Sequence, residues 1–178
     1  ARLSNFIVGP QYLQDGSKAV DPGFEGACAA QPDPDGTNLN FTPFINEIYP
    51  NGWRQGGARI GKYEYERGGT DNMSNDFVIF RYSDILLTRA EALWRLNSGD
   101  AEALALVNQI RERALVDPYA TLTADNLLAE RGREMFAEMT RRQDLIRFGK
   151  FNDPWWEKEA STSTYNLFPI PKAQRDVN

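Results

Sequence analysis

From Asn75 onward the apolar residues fall at helical spacing, twice in succession, with a three-residue stop between the two runs. Ile85, Leu86, Ala90, Leu93 and Trp94 line one stripe, and Asn97-Ser98-Gly99 ends it. Asp100 then caps a second helix whose stripe is Ala103, Leu104, Val107, Ile110 and Ala114. So short a link admits only antiparallel neighbours, so the two helices form a helical hairpin. This pattern dictates a mainly α fold over residues 75–178.

The hairpin's spacing resembles a tetratricopeptide unit, but no second copy recurs at a fixed period. A third helix opens at Leu122-Thr123-Ala124-Asp125, with Thr123 as cap, and runs on through Leu127, Leu128, Arg131, Met135, Phe136 and Met139. A shorter fourth spans Arg142–Phe148 and stops at Gly149. Pro154-Trp155-Trp156 reads as a turn with one indole buried, and Leu167–Pro171 as extended, because its prolines exclude helix. Residues 1–74 carry frequent Gly and Pro without lasting period, a loop-rich segment of the same domain, with extended pieces at Phe41–Tyr49 and Arg59–Glu66.

Several chemistries are excluded by what is missing. The chain of 178 residues has no histidine, which removes imidazole bases, Ser-His-Asp triads and histidine zinc sites. The single Cys28 can form no internal disulfide, and Asp21, Pro22 and Glu25 stand where a lipid-anchor signal needs an apolar run. No apolar run nears the ~20 residues a spanning helix requires. The net charge of -5 argues against a general nucleic-acid binder. In "DPDGTN" (Asp33–Asn38), Asp33 and Asp35 fall at ligand positions of a calcium loop. Gln31 and Thr42 would then occupy its first and twelfth places, which excludes an EF-hand. The stretch reads as an acidic turn, with an irregular calcium site the open alternative, and no metal site is assigned.

Against that acidic balance, "AERGREMFAEMTRRQDLIRFGKF" (Ala129–Phe151) gathers five arginines and a lysine. On a helix, Glu130 lies one turn from Arg133 and Glu134, Glu134 one turn from Glu138, and Arg131 one turn from Glu134. Acids and bases share one surface, so Glu130, Arg131, Arg133, Glu134, Glu138, Arg141, Asp144 and Arg147 read as ion pairs that lock successive helices. A glycosidase-type carboxylate pair is the competing reading. Interleaved arginines would push such carboxyls down rather than up, which suits ion pairing and not a general acid.

"ERGREMFAEMTRRQDLIRFGK" (Glu130–Lys150), "NDFVIFRYSDILLTRAEAL" (Asn75–Leu93) and "LFPIP" (Leu167–Pro171), in that order and with "ALALVNQIRERA" (Ala103–Ala114) between, resemble the C-terminal region of the SusD/RagB family. "GARIGKYEY" (Gly57–Tyr65) fits more loosely. Met139-Thr140 departs from the pattern, since many members carry a glycine and a bulkier residue there. The resemblance implies the C-terminal part of a longer, mainly helical, non-catalytic outer-membrane lipoprotein at the cell surface. Its signal peptide and lipidated cysteine would precede this chain. It also implies glycan or other nutrient capture without a cofactor, and delivery to a SusC-like TonB-dependent transporter. The alternatives are a scaffold piece docking on that transporter, with the ligand site in the preceding half, and a helical glycoside hydrolase.

The family's ligand contacts lie on variable loops, so the site must be argued from chemistry. Sugar rings stack C–H faces on flat aromatics, and their hydroxyls need amide or guanidinium partners. "YPNGWRQGG" (Tyr49–Gly57) offers Tyr49 and Trp53 as platforms and Asn51, Arg54 and Gln55 as a polar rim. A Trp53 that merely plugs a core edge is the competing reading. Trp94, on an apolar stripe, is expected in the core.

Overall fold

The structure is a computed structural model, and it describes residues 2–20, 36–48, 52–63 and 73–177. Cα packing divides the chain into two compact units, Ala1–Asn75 and Asp76–Asn178. Among its described residues the first unit holds four two-residue strands. β1 (Phe6–Ile7) pairs antiparallel with β4 (Arg59–Ile60), and β2 (Gly9–Pro10) with β3 (Asn40–Phe41). Among the described residues, the extended piece expected at Phe41–Tyr49 contributes only Phe41 to a strand, and a single bridge joins Thr42 to Gly56.

The second unit is helical, as the periodicity requires. α1 (Tyr82–Leu96) and α2 (Ala101–Arg113) form the hairpin, followed by α3 (Ala124–Glu134), α4 (Arg141–Arg147) and the single-turn α5 (Lys172–Arg175). Asp100 accepts from the Ala103 amide at 2.8 Å and Thr123 from the Asn126 amide at 3.1 Å, so both expected caps form. Gly149 closes α4 with φ +68°, a conformation that favours glycine. The core is Leu86, Leu87, Ala90, Ala103, Val107, Ile110, Leu122, Leu127 and Met135, with Trp94 packed at its edge and donating Nε1–H to the Leu122 carbonyl.

Three local expectations fail, each for a physical reason. In α1 the buried residue is Leu87, fully enclosed, while Ile85 is 55% exposed. Three consecutive apolar residues leave the phase of the stripe open, and it is Asp84, turned toward α3, that selects it. α3 ends at Glu134 instead of running to Met139. The Glu134 carbonyl, which a continuing helix would give to the Glu138 amide, accepts from Arg81 Nη2 at 2.6 Å, and Ala137 and Met139 take left-handed conformations with φ +63° and +59°. Trp155 and Trp156 are both half-exposed. The Trp155–Lys158 backbone bridge and the positive φ of Glu157 make this a tight turn, where strand alternation does not apply.

Gly132, inside α3, also has a reason. A β-carbon there would lie 2.7 Å from Arg141 Nη1. That guanidinium crosses the helix at this point to donate to the Leu128 carbonyl at 2.8 Å. Arg141 thus ties α4 to α3 through a backbone carbonyl, and alanine's better helix propensity is forgone for close approach.

Candidate functional site

Within the first unit, the loop carrying Trp53 is built by its own backbone. Trp53 N–H donates to Asn46 Oδ1 at 3.0 Å, Gly56 N–H to the Trp53 carbonyl at 3.0 Å, and Gly57 N–H to the Phe44 carbonyl at 3.0 Å. Gly57 sits at φ +81°, and Gly52 passes where a β-carbon would lie 3.0 Å from the Glu47 carbonyl, so both positions favour glycine. Arg59 Nη1 donates to the Gly56 and Gly57 carbonyls at 3.0 and 3.1 Å while its guanidinium covers the Phe41 ring at 4.4 Å. The loop is therefore held from both ends, and it holds the Trp53 indole 45% exposed.

Gln55 has a different job from the rim expected of it. Its Oε1 accepts from the Asn40 amide at 2.9 Å and its Nε2 donates to Thr37 Oγ1 at 3.3 Å, so the side chain fastens the loop to β3. Arg54 is half-buried beside Trp53. Tyr49 and Asn51 lie outside the described residues, as do Cys28, Asp33 and Asp35. Phe44, which the sequence did not single out, is 80% exposed on the same loop.

The arginine-rich stretch supplies three clusters of ion pairs within the helical unit, while Arg141, expected in such a pair, and Arg142 donate to backbone carbonyls instead. Fully buried Glu130 accepts from Arg111 and Arg133, each at 2.8 Å. Glu134 receives Arg81 at 2.6 Å and also pairs with Arg113, and Arg81 reaches Glu138 at 2.6 Å. Arg131, 3% exposed, bonds Asp144 at 2.8 Å and Asp84 at 2.9 Å, and Arg147 bonds Asp144 and Glu91, each at 2.8 Å. Of these pairs, two lie within one helix three residues apart, Glu130 with Arg133, as read from the sequence, and Asp144 with Arg147, while Arg131 turns to Asp84 and Asp144. Sequence reasoning missed the partners Arg81, Asp84, Glu91, Arg111 and Arg113, which come from upstream elements. Interior carboxylates facing interior guanidiniums were the only available signal.

Electrostatics follow the contacts. Burial alone would raise the Glu91 carboxyl, but N–H donation from Arg147 and Arg95 outweighs it and holds the group below its ordinary value. Hydrogen bonding to Glu91 drives the Arg147 guanidinium upward, against desolvation. Every carboxylate of the glycosidase-like trio, Glu130, Glu134 and Glu138, is engaged by arginine.

Beside these ion pairs, residues 77–80, one face of α1 from Asp84 to Arg95, residues 138–140 and α4 enclose a half-open cleft of about 690 Å³. Phe77, Phe80 and Met139 form its apolar walls, and Arg95, Gln143 and Arg147 its polar side.

Comparison with known proteins follows the same architecture. The family model described as the SusD family matches residues 35–178. The "Starch-binding protein SusD" of Bacteroides thetaiotaomicron is 38% identical over 148 residues, covering 78% of this chain and 25% of that protein. "SusD-like protein P25" of Formosa agariphila is 30% identical over 141 residues, covering 68% of this chain and 26% of the relative. The chain thus spans about a quarter of the length of these curated relatives. Among solved structures, "Surface glycan-binding protein A from Bacteroides uniformis" superposes on the whole chain and on 45% of its own, with TM-score 0.60 at 21% identity, a likeness of fold.

Proposed function

Because the chain belongs to the SusD family, we propose that it serves the non-catalytic capture of glycan at the cell surface. In this reading it is part of an outer-membrane lipoprotein that passes its ligand to a SusC-like TonB-dependent transporter. The observation that carries the reading within this chain is Trp53, a large aromatic kept half in solvent by a loop whose backbone is fastened at several points. An indole on such a loop presents a flat face to a pyranose ring at little entropic cost, with Tyr49 near it in sequence as a second platform and Arg54 to meet hydroxyls. The arginine partners of Glu130, Glu134 and Glu138 support an absence of bond-breaking chemistry, since a general acid must hold its proton near neutral pH. The starch named for the similar Bacteroides protein makes soluble starch the first ligand to try.

The test is a tryptophan-fluorescence titration with soluble starch and a panel of other polysaccharides, with the same samples assayed for released reducing ends. Saturable quenching without product, weakened about tenfold or more in Trp53→Ala at unchanged melting temperature, is the expected result. Release of reducing ends that disappears on replacing one carboxylate would replace this reading with the hydrolase. A titration indifferent to Trp53→Ala would move the glycan site elsewhere.

A further inference from the structure

The cleft between residues 77–80 and helices α1 and α4 has the size, the walls and the free polar groups of a ligand site of its own. We infer that it is a second carbohydrate subsite, taking a short neutral oligosaccharide of two or three rings. The ligand's class rests on the glycan reading above; the location does not depend on Trp53.

Its volume of about 690 Å³ lies within the range that small-molecule sites occupy, roughly 300–1,000 Å³. Phe77 and Phe80 turn more than half of their surface to solvent, a costly disposition for phenylalanine that a stacked sugar face would relieve. Charge argues for a neutral guest. Asp84, Glu91 and Glu138 line the cleft together with Arg95, Arg131 and Arg147, three acids against three bases, so no net field selects an ion.

Polar groups nevertheless remain available. Arg147 uses Nε and Nη2 on Glu91 and Asp144, and Arg95 uses Nε and Nη2 on Glu91 and the Arg147 carbonyl. Both Nη1 groups and the whole Gln143 carboxamide make no hydrogen bond to the described residues. Sugar hydroxyls accept from guanidinium N–H and exchange both roles with an amide, whereas a purely apolar guest would strip these donors of water and leave them unpaired. Met139 adds a rim. It holds a left-handed backbone that disfavours any β-carbon, at a position where glycine would fit without strain, and it keeps its thioether chain 80% exposed beside the cleft.

The experiment uses the 178-residue chain and three neutral probes, maltotriose, cellotriose and xylotriose, with trigalacturonate as the charged control, in calorimetric titrations of wild type, Gln143→Ala, Phe80→Ala and Trp53→Ala. One neutral trisaccharide should bind, trigalacturonate should not, and Gln143→Ala and Phe80→Ala should each weaken binding about tenfold at unchanged melting temperature. Trp53→Ala should leave this binding intact. Trisaccharide affinity indifferent to both cleft variants overturns the inference while leaving the Trp53 reading in place. Polysaccharide binding indifferent to Trp53→Ala, with the cleft variants effective, does the reverse. No binding of any trisaccharide overturns the subsite. So does a concentration-dependent mass in sedimentation that Phe80→Ala abolishes and sugar leaves unchanged, since a second copy would then fill the cleft.

Discussion

Replacing Arg131 by methionine isolates the cost of a buried charge left without its partner. Arg131 is 4% exposed at its side chain and Asp144 1%, and three hydrogen bonds leave the guanidinium, to Asp144, Asp84 and Thr88. Methionine keeps most of the stem's packing and removes the charge, so Asp84 and Asp144 lose their shared cation. Breaking a buried pair in this way costs about 3–5 kcal/mol. Arg147 still reaches Asp144, which sets the expectation at the lower end, about 3 kcal/mol. At roughly 2–4 °C per kcal/mol for a chain of this length, the melting temperature should fall by about 6–12 °C. Arg133→Ala is the control. Arg133 is nearly half exposed and its partner Glu130 retains Arg111, so about 1 kcal/mol and a few degrees should be lost. Differential scanning calorimetry with urea unfolding as a check gives both numbers. Adding Asp144→Leu to Arg131→Met should recover part of the loss, because it also removes Asp144 Oδ2, a buried oxygen with no hydrogen-bond partner. An Arg131→Met variant within about 1 kcal/mol of wild type, or no worse than Arg133→Ala, would refute the idea that this network carries stability.

Two further outcomes can be measured on the same protein. Glu91 is held below its ordinary value of 4.5, so its contribution is complete above that pH and is lost as pH falls through the lower, folded value. The acid limb of a stability–pH curve should therefore be shallower in Glu91→Gln, and an unchanged slope would count against the Arg147 and Arg95 contacts as its cause. Met139→Gly should raise the melting temperature by a degree or two. Relief of a left-handed β-carbon, about 1–2 kcal/mol, outweighs glycine's added backbone entropy of about 0.5–1 kcal/mol, and a clear drop would deny the strain.

What could be read in the sequence was what is decided locally. Asp100 and Thr123 cap because their side chains reach amides three residues away, and Gly149 stops α4 because it alone adopts the left-handed turn cheaply. The end of α3 was illegible because Arg81, 53 residues upstream, captures the Glu134 carbonyl. The phase of α1 was illegible for a similar reason, since Asp84 answers to Arg131 across 47 residues. At the Trp53 loop, composition indicated aromatic and polar groups together. It could not indicate that Gln55 would be spent on Asn40 and Thr37, nor that Phe44 would stand in solvent beside it. Burial follows from apolar pattern, while the division of polar side chains between fastening and display follows from contacts distant in sequence.

The charges on α1 also bear on what the hairpin can pack against. Repeat arrays grow by duplication, each new unit packing on the last through interchangeable apolar faces. Here Asp84 takes its cation, Arg131, from α3, and Glu91 takes Arg147 from α4 beside Arg95 of its own helix. A duplicated hairpin inserted between them would leave Asp84 without its guanidinium and Glu91 with Arg95 alone, while Arg131 and Arg147 would keep only Asp144. The ion pairs therefore act as an address that α3 and α4 answer and that an interchangeable apolar face could not.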